Sequence, residues 1–131
     1  MQTTHETGRR LICIVDDDDS FREALAGWLA SLGLRTASFG SASAFLESHG
    51  ASAACFLVVD VNMPGMSGLD LLDRLAASRR SLPTVVISAR DDAHVRIRAL
   101  AAGAIAFLGK PFELQQLADL IQAAPCGCPP V

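Results

Sequence analysis

Five short strand-like segments alternate with helical stripes along this chain, and the four mainly apolar ones lead into a polar residue able to do chemistry. Leu11 to Val15 runs into Asp16 and Asp17, Cys55 to Val59 into Asp60, Thr84 to Ile87 into Ser88, and Ile105 to Leu108 is followed by Gly109 and Lys110. The remaining segment, Leu34 to Phe39, mixes apolar and polar residues and reads as a strand. Continuous apolar runs of this length suit strands buried on both faces of a parallel sheet. Between them lie helical patterns. Phe21, Leu25, Trp28, Leu29 and Leu32 form one apolar stripe, with Gly33 placed to stop it and Asp19 or Ser20 placed to cap it. Ser41 to Ser48, Gly68 to Ala77, Ala93 to Ala102 and Glu113 to Ala123 supply four more helices.

Strands that alternate with helices in this way predict an α/β fold, because parallel neighbours need crossover connections and those crossovers are right-handed. In such sheets the functional site lies beyond the carboxyl ends of the strands. Asp16, Asp17, Asp60, Ser88 and Lys110 therefore converge on one edge. With 131 residues, half of them hydrophobic, the chain has material for one domain and its core. Residues 1–9 read as a flexible leader, 10–123 as the domain, and 124–131 as a tail or the start of a linker.

Charge and cysteine content narrow the function. The formal net charge is −3 and the basic residues are scattered, which argues against direct contact with nucleic acid. No apolar run approaches the roughly 18 residues of a membrane span, and no signal-peptide pattern opens the chain, so a cytoplasmic setting is expected. Cys13 and Cys55 sit in apolar runs and read as small free hydrophobes, without a disulfide framework. Cys126 and Cys128 offer two soft ligands with no His or further Cys at metal spacing, so they read as tail residues. The three histidines, His5, His49 and His94, share no metal spacing either. Trp28 and the phenylalanines at 21, 39, 45 and 56 fit core positions.

Three carboxylates gathered at one edge repel one another unless a cation joins them. A hard divalent ion such as Mg²⁺ suits a shallow site of loop ends, since it takes few carboxylates and keeps water and phosphate oxygens. Asp60, alone at the tip of a central strand, is the candidate nucleophile, because a carboxylate can attack phosphorus to give an aspartyl phosphate. Ser88 and Lys110 would share the charge of the phosphoryl oxygens with the metal. In isolation each residue has an ordinary reading: Asp16 to Asp19 as an acidic turn or cap, Asp60 as a turn former, Ser88 as a loop hydrogen-bonder, Lys110 as a solvated charge. Their common place at strand ends favours the joint reading.

Four motifs in order carry a resemblance: Val15-Asp16-Asp17-Asp18, Asp60 through Gly68, Val86 through Arg90, and Lys110-Pro111-Phe112. Together they resemble the receiver domains of two-component response regulators, over roughly residues 10–122, and in particular receivers that precede LuxR-type output domains in nitrogen-fixation and nodulation regulators. The resemblance implies a doubly wound, flavodoxin-like (βα)5 fold with strand order 2-1-3-4-5. It further implies that Asp60 is the phosphoacceptor, served by a sensor histidine kinase or a small phosphodonor. Asp17 would ligate Mg²⁺ directly and Asp16 mostly through water, with Asp60 and the backbone carbonyl of Asn62 completing the set. Ser88 and Phe107 take the switch positions, Lys110 pairs with the phosphate, and the Lys110-Pro111 bond is expected to be cis.

Phosphorylation would then remodel the face of the fourth helix, fifth strand and fifth helix, for homodimerisation or for control of an output domain or protein, with transcription as the regulated process. Asn62 and Arg90 would tune the slow loss of the phosphoryl group; no separate substrate is turned over. Two positions depart from the commonest pattern: Phe107 stands where Tyr is frequent, and Gly109 precedes Lys110 and predicts a looser strand end. Two alternatives are a Mg²⁺-dependent phosphatase or phosphotransferase with an Asp nucleophile, and a phosphorylation-independent interaction module. The first usually needs an acid two residues beyond the nucleophile, where Asn62 stands. The second fits poorly with a complete set of Asp16, Asp17, Asp60, Ser88 and Lys110.

Overall fold

A computed structural model of the chain describes residues 10–48, 53–78, 82–89 and 92–124. In chain order the elements are β1 (Leu11–Val15), α1 (Asp19–Ser31), β2 (Arg35–Phe39), α2 (Ala42–Glu47), β3 (Phe56–Asp60), α3 (Gly68–Ala77), β4 (Thr84–Ser88), α4 (Ala93–Ala101), β5 (Ala106–Gly109) and α5 (Leu114–Ala123). The strands form one parallel five-stranded sheet in the order β2-β1-β3-β4-β5. The expected fold class and strand order are both present.

Period-two alternation along buried strands builds a core on each face of the sheet. Cys13 and Val15 of β1, Leu57 and Val59 of β3, and Val86 of β4 point to one side, where Phe45 of α2, Leu71 of α3 and Ala99 of α4 pack on them. Ile12, Ile14, Val58, Val85 and Ile87 point to the other, against Leu25 and Leu29 of α1 and Leu117 and Ile121 of α5. Phe45 and Phe56 are buried as expected, while Phe21, Phe39 and Trp28 are half-buried at the edges of these cores.

The ends of the helices obey local chemistry, with one correction. Asp18 caps α1, not Asp19 or Ser20: its backbone is extended and its side chain accepts from the Phe21 N–H at 3.1 Å. Asp19 is instead the first helical residue, where its carboxylate pairs with Arg22 at 2.6 Å. Ser41 caps α2 as expected, and Ser67 and Asp70 close a reciprocal capping box on α3. Gly33, just past the C-cap Leu32, has φ +86, a conformation that side chains with a Cβ rarely adopt.

A second correction concerns sulfur. Cys13 is buried and outside any disulfide, but Cys55, just before β3, is disulfide-bonded. Apolar surroundings say how a thiol packs, not whether another sulfur reaches it, so the sequence context of Cys55 could not decide its redox state. Cys126 and Cys128, like residues 1–9, His49, Gly50 and Arg90, lie outside the described residues. Among the described residues no helix is long and apolar enough to cross a membrane.

Candidate functional site

The strand order reverses direction between β1 and β3, and the carboxyl ends of these two central strands open the crevice where doubly wound folds place their ligands. Val15 lies beside Val59 in the sheet, so the residues that follow each strand, Asp16 and Asp60, emerge side by side. Asp60 in turn sits beside Ile87, and Ser88 beside Gly109, which brings Lys110 to the same edge. All five polar residues singled out in the sequence thus gather at one end of the sheet.

Hydrogen bonds fix how each side chain sits. Asp16 is fully buried; one of its oxygens accepts from the Asp18 N–H at 2.9 Å and the other from the Lys110 ammonium at 2.8 Å. Asp17 is exposed. Asp60 Oδ1 accepts from the Asn62 N–H at 3.3 Å, leaving Oδ2 facing Lys110 Nζ at 3.8 Å. Ser88 is buried at the end of β4, and its carbonyl accepts from the Lys110 N–H at 2.7 Å. Asn62 lies in the exposed loop after β3. The Lys110-Pro111 peptide bond is cis, as the motif implies.

Three aromatic contacts are not foreseen from the sequence. The Lys110 ammonium lies 4.1 Å from the centroid of the Phe21 ring, and Phe21 meets Phe112 edge-on, with centroids 6.2 Å apart. The guanidinium of Arg96, on α4, lies 4.8 Å from the centroid of Phe107, which is buried on β5 beside Val86. The helical stripe assigns Phe21 to the core, and its place in the first turn of α1, next to the acidic run, is the signal that could have moved it to the site. Arg22 also serves the edge, since its guanidinium donates to the Asp16 carbonyl at 2.6 Å.

Burial, followed by the negative charge of Asp16, pushes the carboxyl of Asp60 up to about 6; Lys110 and the Asn62 N–H pull in the opposite direction without winning. Three carboxyl groups thus share this edge with the Lys110 ammonium. Asp16, Asp17 and Asp60 each offer a carboxylate oxygen, all within 4.8 Å of one another. Acceptor-only oxygens, crowded and partly desolvated, fit a hard divalent cation such as Mg²⁺.

Comparison with known proteins converges on one family. Residues 12–122 match the model of the response regulator receiver domain. The chain is 43% identical over 114 residues to the response regulator protein TmoT of Ectopseudomonas mendocina, covering 87% of this chain and 52% of that protein. It is 37% identical over 121 residues to nodulation protein W of Bradyrhizobium diazoefficiens, covering 92% and 53%. The crystal structure of FixJ-N superposes with a TM-score of 0.79 at 34% identity, covering 86% of this chain and 90% of that one. The chain thus spans about half the length of the curated relatives it matches.

Proposed function

Because this chain belongs to the response regulator receiver domain family, we propose that Asp60 accepts a phosphoryl group, in a Mg²⁺-dependent reaction, from a sensor histidine kinase or a small phosphodonor. The observation that carries this reading is the pairing of Asp60 Oδ2 with an ammonium 3.8 Å away at the mouth of the β1/β3 crevice. In the reaction a carboxylate oxygen of Asp60 forms a bond to phosphorus as the bond from phosphorus to the donor's nitrogen or oxygen breaks, and the donor leaves with that electron pair. No general base is needed, since the nucleophile is already an anion once its proton is lost.

The residues around Asp60 divide the remaining work. The Asn62 N–H holds Oδ1 and so orients the carboxylate. Lys110, within reach of both Asp16 and Asp60, follows charge onto the phosphoryl oxygens. Asp16, Asp17, Asp60 and the Asn62 carbonyl would hold Mg²⁺, which when bound neutralises charge shared between the carboxylates and the phosphoryl group. Asn62 stands where a hydrolytic phosphatase on a similar scaffold places its acid, which favours a switch over an enzyme that turns over a separate substrate.

The signal leaves through Ser88 and Phe107. Ser88 engages the new phosphoryl oxygens, Phe107 follows, and the α4-β5-α5 face changes so that two copies pair or an output partner responds, with transcription as the controlled process. The resident cation and the acceptor are tested together by incubation with acetyl phosphate, with and without Mg²⁺, followed by intact-mass measurement and residue mapping. A Mg²⁺-dependent, hydroxylamine-sensitive adduct on Asp60 is the expected result. Asp60→Asn should fold and remain unlabelled; its labelling at the normal rate would overturn the assignment.

A further inference from the structure

We infer that Phe21 is a positioning residue for Lys110: its ring face holds the ammonium over the site so that the lysine can turn from Asp16 to the phosphoryl group. The inference rests on the phosphoacceptor role proposed for Asp60. A lysine ends a flexible four-carbon stem, and fixing it against that freedom has an entropic cost. Here the preceding residue gives no help, because Gly109 has no side chain and a Cβ at that position would meet nothing within 4 Å. What the ammonium does have is a carboxylate at 2.8 Å, a second at 3.8 Å and an aromatic ring at 4.1 Å.

These three neighbours are not equivalent. Asp16 binds the ammonium strongly and with direction, which by itself would hold the lysine away from phosphorus. The ring attracts the cation through its quadrupole and asks for no lone pair, so the N–H donors stay available to oxygens. An ammonium resting on such a surface can rotate between oxygens without leaving its anchor. The ring is held for this purpose from both ends. Its backbone N–H donates to the capping Asp18, and its side chain is braced edge-on by Phe112, two residues beyond Lys110. α1 and the loop after β5 therefore meet in the sequence Phe112, Phe21, Lys110, Asp16, from the braced ring to the buried carboxylate.

A purely structural Phe21 would matter only for stability, so the test uses the lysine as a control. Phe21→Leu keeps apolar bulk and removes the ring face; Phe21→Trp keeps a ring face; Lys110→Met removes the cation. The rate constant for labelling of Asp60 by acetyl phosphate at saturating Mg²⁺ is measured for the wild type, each variant and the Phe21→Leu/Lys110→Met double variant. Phe21→Leu should slow labelling roughly three- to tenfold, the range a cation–π contact of this kind supports. Its Mg²⁺ affinity should stay unchanged, Phe21→Trp should restore the rate, and Phe21→Leu should have no further effect once Lys110 is Met.

Wild-type rates in Phe21→Leu, or an equal slowing by Phe21→Leu in the Lys110→Met background, would overturn the role of Phe21 while leaving Asp60 as acceptor. A wild-type chain that takes up no phosphoryl group on Asp60 would instead overturn the acceptor assignment, and the role given to Phe21 with it.

Discussion

At the scale of single residues the site holds one carboxyl, that of Asp60, against its ordinary ionisation. A carboxyl raised from 3.8 to about 6 binds its proton more tightly in the folded chain than in the unfolded one. Folding therefore takes up a proton between those values, and stability falls as pH rises from about 4 to 6, with the full cost standing above 6. In metal-free buffer at pH 7.5, Asp60→Asn should accordingly be more stable than the wild type, by up to about 3 kcal/mol at 1.36 kcal/mol per pKa unit. The gap should narrow towards pH 4 and close below it, where the Asp60 carboxyl is protonated in the folded and the unfolded chain alike. Added Mg²⁺ should stabilise the wild type more than the variant and so shrink or reverse the difference. Urea unfolding of both chains across this pH range, with and without Mg²⁺, checks the sign; a wild type more stable than Asp60→Asn at pH 7.5 without metal would contradict it.

At the scale of elements, α3 is set so close to β3 that its first residue has no room for a side chain. A Cβ at Gly68 would lie 2.4 Å from the Asp60 carbonyl oxygen and 3.0 Å from its carbon, both backbone atoms that cannot turn aside. Gly to Ala in a helix ordinarily gains up to about 1 kcal/mol. Here the clash should win, and Gly68→Ala is expected to lose roughly 1 to 3 kcal/mol in thermal or urea unfolding. It should also slow labelling of Asp60, because the helix can only retreat by moving the acceptor's own backbone. Removing the α1 cap with Asp18→Ala should cost about 1 kcal/mol, and the side chain that accepts from the Phe21 N–H would be gone.

The same elements explain what the sequence discloses and what it withholds. Asp60, Ser88 and Lys110 are legible as candidates because buried parallel strands announce themselves as apolar runs, and three polar residues that each follow such a run fall together at one sheet edge, although each alone has an ordinary reading. The Asp18 cap is not legible, since four successive aspartates offer equivalent caps and only the extended backbone at Asp18 selects one. Phe21 escapes for a different reason. Its helical phase is the same whether it serves the core or the site, and only the packing of α1 beside the loop after β5 puts its ring under Lys110. Arg96 on Phe107 is likewise a contact between distant elements, with no local pattern to signal it.

At the scale of the whole molecule, the distribution of exposed apolar side chains bears on how the proposed switch leaves the domain. Among the described residues, the large hydrophobics left most open are Leu32 after α1, Ile97 and Leu100 of α4, Ile105 before β5 and Leu114 at the start of α5. Ile97 and Leu100 belong to α4, as does Arg96, whose guanidinium lies over Phe107 of β5, so the change proposed at Phe107 bears directly on this helix. Pairing of two copies through it would follow twofold symmetry, and each residue would then act twice. Ile97 is 65% exposed, and burying a whole Ile side chain is worth about 1.5 to 3 kcal/mol. Losing that share on both copies amounts to roughly 2 to 4 kcal/mol, or about 30- to 1000-fold in the dimer dissociation constant. Ile97→Glu should therefore be phosphorylated on Asp60 at the normal rate yet sediment as a monomer at concentrations where the phosphorylated wild type is dimeric. A variant that dimerises as the wild type does would move the pairing surface off α4.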